Sequence, residues 1–496
     1  MSDVRKDNPI REEKRKKLHA LKEKGIDPFP YSFDRSHSLQ ELREKYGGLT
    51  AGEKQEGTII RLAGRVMTVR AMGKASFFNI QDQSGLMQIY IKPEELDETA
   101  QTSFDLLDIG DFVGVQGFVF CTKRGELSVH IQKFEILCKT LEPLPEKFHG
   151  IADIEIKYRH RHLDLIMDSD SRKVFETRSK IIREIRKFLD ARGFLEVETP
   201  ILQPLYGGAA ARPFTTHHNA LDMKLYLKIS PELYLKRLIV GGFEKVYDLN
   251  KNFRNEGIDR SHNPEFTMME WYEAYTDYNY QMKQFEDLVS HVCKEICGST
   301  KITYQGKEID FTTPWKRISV NDSIKEYAGV DVKALNDAQL KSKLIESGFK
   351  EDPKNPLNRG EMIIQLFDLL VEHHLWQPTF IIDHPVEISP LTKKHRVHKG
   401  LVERFEPYVA NMELGNAYSE LNDPEEQRAR LEEQESKRGQ NDEAHPMDED
   451  FMNAIDVGMP PTGGVGLGIE RLVMVLTDRP SIRDIILFPT MKIKYT

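Results

Sequence analysis

The stretch from Val246 to Tyr275, VYDLNKNFRNEGIDRSHNPEFTMMEWYEAY, limits the possible folds more than any other part of the chain. Two strand-like runs flank the polar loop Glu256 to Pro264, and that spacing predicts a long hairpin. Side chains alternate along a strand, so Phe266, Met268, Glu270 and Tyr272 share one face while Thr267, Met269 and Trp271 take the other. A half-buried strand would ordinarily be apolar inside and polar outside. Here polar groups fall on both faces, which is poor for packing and ordinary for a site.

A second run has the same character. In NMELGNAYSELND, alternation puts Asn416, Tyr418 and Glu420 on one face, with Glu413 just before them and Glu406 seven residues earlier. Acidic residues are disfavoured in central strands, so each needs a reason. Carboxylates converging without cysteine or several histidines suit a hard cation or an ammonium group better than zinc. A third run, MPPTGGVGLGIERLVMVL, is a glycine-rich strand feeding a helix that opens near Gly468 to Arg471. A cation in a first helical turn is unfavourable unless an anion is present. The glycine spacing fits neither a P-loop nor a dinucleotide-binding turn.

Around these runs the chain divides by texture. At 496 residues, more than one domain is expected. Five short runs between Thr58 and Leu137 alternate or run apolar between turn residues, predicting a five-stranded oligonucleotide-binding barrel over 56–145. Its adjacent Phe77 and Phe78 would point one ring inward and one outward, and on residues alone Phe77 reads first as core. A Pro/Gly-bearing connector leads to a linker over 146–165, and 166–496 reads as one α+β domain, an antiparallel sheet flanked by helices. Val174, Ile181, Ile182, Ile185 and Phe188 have helical spacing that ends at Gly193, residues near 300–380 read as a mostly helical insertion, and 424–450 as solvated helix and loop.

Charge and cysteine content set further limits. The formal net charge is −9, yet residues 5–24 carry nine Lys/Arg against four Asp/Glu. A nucleic-acid partner would therefore be met by local patches rather than by the global field. Residues 1–55 are expected to form a basic helical extension, read as a solvated helix with an RNA-contacting arm as the alternative. Cys121, Cys138, Cys293 and Cys297 are too few to staple the chain and lack zinc spacing, so reduced thiols are expected, with Cys293 and Cys297 both facing a core. No apolar run is long enough for a membrane span, and the start lacks the apolar core of a secretory signal, so a cytoplasmic location is expected.

Taken together, the three runs resemble the signature motifs of class II aminoacyl-tRNA synthetases. FLEVETPIL, with Pro200, is similar to the first motif, FRNEG with HNPEFTMMEWYEAY to the second, and GGVGLGIER to the third. A preceding barrel resembles the subgroup that handles aspartate, asparagine and lysine. YGGAAARPFTTHHNALDMKLYL, ISPELYLKRLIVGGFEKVYDLNKNFRNEG and GNAYSELNDPEEQ resemble its lysine branch.

That resemblance implies a ligase that activates L-lysine with ATP, releasing pyrophosphate, and transfers lysine to the 3′ end of tRNA(Lys). It also implies Mg²⁺ as cofactor, held by Glu406 and Glu413, and a homodimer through the first motif. Arg254 would grip the α-phosphate and the lysine carboxylate, and Arg471 the γ-phosphate or adenine; these two are the implied catalytic residues. Phe266 would stack on adenine, with Glu256 and His262 also on the nucleotide. Glu420 and Tyr272 would take the lysine side-chain ammonium, while Gly208, Glu232, Glu270, Asn416 and Tyr418 would complete the amino-acid site. In the barrel, Arg70, Phe77 and Gln88 match anticodon-reading positions. Two rivals remain: a lysine-adenylating paralogue that modifies a protein, and a non-catalytic RNA-binding scaffold.

Overall fold

The computed structural model describes residues 8–72, 75–145, 153–352, 356–437 and 446–493. The chain forms two compact units, divided between Ser169 and Asp170, with Ile493 grouped with the first unit. The first seven residues, the opening of the expected linker at 146–152 and part of the acidic stretch at 438–445 lie outside the described residues.

In the first unit, strands β1 (Ile60–Met72), β2 (Ala75–Asp82), β3 (Gly85–Ile91), β4 (Phe112–Cys121) and β5 (Leu127–Cys138) close into a barrel in the order β1-β2-β3-β5-β4. Alternation drives it: Phe78, Ile80, Ile89, Val113, Val129 and Ile131 all point into one apolar core. The helices before it are less free than the sequence suggests. Helix α1 (Pro9–Glu23) and α2 (Leu39–Tyr46) send Leu21, Leu39 and Leu42 into the barrel core. Lys14 of α1, expected to be solvated, is buried and donates to the Ile109 carbonyl at 3.0 Å and to Thr140 Oγ1 at 3.1 Å. The described part of the expected linker, 153–165, is largely helical, in Ile154–Arg159 and Arg161–Met167.

The second unit is built on a nine-stranded sheet among the described residues. Its strands are β6 (Leu195–Glu196), β7 (Lys245–Phe253), β8 (Glu265–Ala274), β9 (Lys316–Ser319), β10 (Thr379–Pro385), β11 (Leu401–Val409), β12 (Met412–Glu413), β13 (Gly415–Ser419) and β14 (Thr462–Gly468). They run β9-β10-β11-β13-β14-β8-β7-β6, with β12 paired to β11. The expected antiparallel sheet holds through the middle, but both edges are parallel, β9 on β10 and β6 on β7. The sheet is therefore mixed.

One face of this sheet carries the core. Met269 and Trp271 of β8 pack with Phe405 of β11 and with Val465 and Leu467 of β14. Over them lie helix α3 (Ser169–Asp190), through Ile181, Ile185 and Phe188, and α5 (Tyr278–Cys297), whose Phe285 stacks on Trp271 at 6.2 Å. Helix α3 is followed by Gly193 at φ +79°, the left-handed conformation that glycine adopts without strain. Residues 301–319 differ from the helical expectation: they form a two-stranded ribbon and edge strand β9, and helices occupy only parts of 320–370. Cys293 is buried but Cys297 is exposed, so the two thiols do not share a core.

Candidate active site

The opposite sheet face carries a cleft of about 360 Å³. Alternation along β8 places Phe266, Met268, Glu270 and Tyr272 in its wall, as the spacing predicts, with Asn416 and Tyr418 of β13 beside them. Glu406 of β11 and Glu413 of β12 enter from the neighbouring strands, and Arg471 from helix α6 (Ile469–Leu476). Arg254, Glu256 and His262 come from the hairpin loop, Glu232 from helix α4 (Glu232–Val240), and Gly208 from the segment before it. Gly208 sits at φ +84°, where a Cβ would meet Ser230 Oγ at 2.7 Å, so glycine is required there.

One end of the cleft is cationic. Arg254 lies 5.1 Å over the Phe266 ring, and its Nε is buried without a hydrogen-bond partner. Burial lowers the Arg254 pKa, against the pull of Glu256, Glu413 and Glu270. Arg471 donates to the Glu413 carbonyl at 2.5 Å and lies 3.6 Å from its carboxylate. His262 is exposed and tied to Asp259 at 2.9 Å.

Beside these cations stand the two carboxylates. Burial raises the Glu406 pKa, but His384 and Arg404, with hydrogen bonds from His384 and Tyr408, outweigh it and bring the group down to about 2. Glu413 moves the other way: burial and then repulsion from Glu406 raise it, against Arg471, Arg404 and Arg254. Among the described residues no three His, Cys, Asp or Glu side chains form a metal cluster.

The other end is acidic and more deeply buried. Glu270 accepts from Ser230 Oγ at 2.7 Å and from the Tyr272 hydroxyl at 3.0 Å. Burial, then the nearby Glu232, push its carboxyl up to about 8. Glu420 corrects a simple reading of the spacing. Strand β13 ends at Ser419, and Glu420, only 1% exposed, lies behind the cleft wall rather than in it. It is reached past Gly464, where a Cβ would come within 2.0 Å of Glu420 Oε1 and 2.4 Å of the Tyr272 ring.

Three residues absent from the expected set hold this arrangement. Arg404 donates to Asn416 Oδ1 at 2.8 Å and to Glu406 Oε1 at 2.6 Å, linking the acidic and cationic ends. Its spacing of two from Glu406 on one strand is the signal that finds it. Glu470 accepts the Thr267 N–H at 3.0 Å and Arg178 at 2.7 Å, fastening β8 to α6 and α3. Lys236, one helical turn after Glu232, lies between Glu232 and Glu420.

The barrel carries a separate surface. Register aligns Arg70 with Phe77, Phe77 with Tyr90, Tyr90 with His130 and His130 with Phe118, one row across all five strands. Phe78 takes the core position and Phe77 turns outward. Ring centroids lie 5.0 Å apart for Phe77 and Tyr90, and 4.8 Å for Tyr90 and His130. Gln88 Oε1 accepts from Ser128 at 2.8 Å. Tyr90, Phe120 and His130 were not among the expected residues, although the alternation in LMQIYIKP, FVF and SVHI marks them as outward-facing.

Residues 153–492 match the family described as tRNA synthetases class II (D, K and N), and residues 60–137 match the OB-fold nucleic acid binding domain. The chain belongs to this class II tRNA synthetase family, as its cleft and barrel together imply. Within the family it is similar to the lysine–tRNA ligase of Clostridium novyi, 52% identical over 490 residues, 98% of this chain and 95% of that protein. The lysine–tRNA ligases of Moorella thermoacetica, at 52%, and Methanoculleus marisnigri, at 50%, each match 96% of this chain and cover 96% and 94% of their own lengths.

Proposed function

We propose that this chain is a lysine–tRNA ligase that forms lysyl-adenylate from ATP and lysine and then acylates tRNA(Lys). The observation that carries this reading is one cleft whose cationic end, Arg254 and Arg471, faces a buried acidic end built on Glu232, Glu270 and Glu420. ATP suits the first and a diamino acid the second.

In the first step the lysine carboxylate attacks the α-phosphorus, a new C–O–P linkage forms, and pyrophosphate departs with the electrons of the broken bond. The nucleophile is already ionised, so no base is needed, and rate comes from positioning and charge neutralisation. Arg254 reaches both reacting groups, since a planar guanidinium can grip two oxyanions. Phe266 gives adenine a stacking face, Arg471 holds the nucleotide from the far side, and Glu256 and His262 border it. Glu270, Asn416 and the Gly208 backbone orient the α-amino and carboxylate end, with Tyr418 alongside. In the second step a hydroxyl of the terminal adenosine attacks the carbonyl carbon and AMP leaves.

Glu406 and Glu413 fit Mg²⁺. They offer only oxygen donors, they repel each other, and Mg²⁺ is ordinarily held by one or two carboxylates with the rest from phosphate and water. Bound there it would neutralise phosphate charge. On the barrel, the row from Arg70 through Phe77, with Gln88 beside it, is the proposed anticodon surface, read by stacking and by amide hydrogen bonds.

A homodimer and a cytoplasmic location complete the reading. Apolar side chains of the first motif stand exposed, Leu195, Ile201 and Leu202, as a surface awaiting a second copy would have them. Among the described residues no helix is long and apolar enough to cross a membrane. Exchange of labelled pyrophosphate into ATP, run with each of the twenty amino acids, tests the function. Lysine alone should support it; no exchange would favour the scaffold, and strong exchange with a neutral amino acid would refute the acidic pocket.

A further inference from the structure

The reaction just proposed leaves Lys236 without a role, yet Lys236 occupies the centre of the acidic end. Its ammonium is fully buried, 2.6 Å from Glu232 Oε1 and 2.5 Å from Glu420 Oε2. The Tyr418 ring lies 5.5 Å away and the Phe451 ring 6.0 Å. Two carboxylates and an aromatic face are what a substrate ammonium would seek in this place. The chain has supplied one cation of its own.

That cation engages Glu420 on one side only. Neither oxygen of this buried carboxylate has a hydrogen-bond partner; Oε2 has the ion pair with Lys236, whereas Oε1 borders Gly464 and Tyr272, both in the cleft wall. A buried carboxylate oxygen left unpartnered is unfavourable, so the empty pocket is incomplete in a specific direction. The charge count agrees. Glu232, Glu270 and Glu420 supply three carboxylates around one ammonium, a deficit of two positive charges. Lysine brings two ammonium groups, while its own carboxylate falls to Arg254. The electrostatics run the same way: burial pushes both Glu270 and Glu420 up, the latter against the pull of Lys236.

We infer that Lys236 is a specificity-determining positioning residue, a built-in cation that fixes Glu232 and one oxygen of Glu420 and leaves the pocket short of the two positive charges that a diamino acid supplies. The inference rests on the lysine-activating reading and deepens it. A neutral isostere such as norleucine, with one ammonium, would leave one carboxylate unpaired. Without Lys236 the carboxylates would lose their fixed geometry and take up protons, so the distinction between lysine and norleucine would narrow.

The test is pyrophosphate exchange with lysine and with norleucine, on the unmodified protein, Lys236→Met and Lys236→Arg. For Lys236→Met, the lysine KM should rise by about 10–100-fold, the scale of one unsatisfied buried polar group, with the ATP KM unchanged. The preference for lysine over norleucine should shrink by a similar factor, and Lys236→Arg, which keeps the charge, should recover part of it. If Lys236→Met does not fold, Lys236→Gln carries the same comparison with a neutral side chain that still donates hydrogen bonds. An unaltered lysine KM and preference would overturn the proposal. So would a uniform fall in kcat for both amino acids, which is the mark of a purely structural lysine. Absence of lysine-dependent exchange in the unmodified protein would instead remove the functional reading beneath it.

Discussion

Both units bury a lysine between two carboxylates, and the two settings differ in what surrounds the pair. In the barrel unit, Lys139 lies 2.6 Å from Asp108 and 2.7 Å from Asp111. Every oxygen there is used: Asp111 Oδ1 accepts from the Thr140 N–H at 2.8 Å and hydroxyl at 2.9 Å, Oδ2 accepts from the Asp108 N–H at 2.8 Å, and Asp108 Oδ1 takes Lys17 at 2.7 Å. Behind the cleft wall, Lys236 stands between Glu232 and Glu420, but both Glu420 oxygens, and Arg254 Nε in the cleft itself, are buried without hydrogen-bond partners. A satisfied network holds structure, whereas an unsatisfied one marks where a ligand belongs.

The largest expected effect breaks the satisfied network. Lys139→Met leaves the buried Asp111 without its cation, while the half-buried Asp108 keeps Lys17, and should lower stability by about 3–5 kcal/mol. Urea unfolding measures this, and lysine-dependent exchange by the folded fraction should be unchanged. If exchange fell while stability held, the contrast between the two lysines would be wrong.

Next comes the cleft. Arg254→Ala should slow adenylate formation by about 3–4 kcal/mol, the scale of one lost oxyanion contact, with little effect on the unfolding midpoint. The stability readout sharpens the comparison, because a buried guanidinium whose Nε has no hydrogen-bond partner and which rests on the Phe266 ring gives the fold little that its removal would forfeit. A near-normal exchange rate would show that Arg254 touches neither reacting group.

A third effect reads the acidic end through pH. Burial and Glu232 raise Glu270 from the ordinary 4.5 to about 8. The folded, empty protein therefore binds this proton more tightly than the unfolded chain, and its contribution to stability is present below 4.5 and lost as pH rises through about 8. Bound lysine favours the ionised carboxylate. Its affinity should thus increase toward pH 8, by at most about tenfold, or 1.4 kcal/mol, per pH unit while Glu270 titrates. Calorimetry across that range measures it, and a flat profile would remove Glu270 from the ligand's surroundings.

How much of this was legible depended on whether a pattern was long enough to carry it. The ten residues of β8 show their alternation plainly, so the sequence alone puts Phe266, Glu270 and Tyr272 on one face. The barrel was equally readable from five alternating runs. The parallel sheet edges were not, because β6 has two residues and β9 four, too short for any period to declare a partner. Glu420 shared the spacing of Asn416 and Tyr418, but the strand ends one residue before it, and the side chain turns inward. Lys236 was hidden for another reason: Glu and Lys four apart on a helix usually form a solvated pair, and only the third partner, Glu420, distant in sequence and just past the end of β13, makes this one a buried centre.

The smallest expected effect lies on the barrel surface. The proposed anticodon row there is made of ring contacts between neighbours, Phe77 with Tyr90 and Tyr90 with both Phe120 and His130. Stacking of a base on an aromatic side chain is worth roughly 1–3 kcal/mol. Phe77→Ala should fall at the lower end, about 1 kcal/mol, because Tyr90 and His130 still offer faces beside it. The loss should appear as a higher KM for tRNA in the charging assay, with lysine-dependent exchange and the unfolding midpoint both intact, since the core ring of this pair is Phe78. Tyr90→Ala, which removes the centre of the row, should cost more than Phe77→Ala on the same readout. Equal losses in charging and exchange would mean that the row supports the fold instead of reading RNA, and the barrel would then contain no unsatisfied surface to set against the cleft.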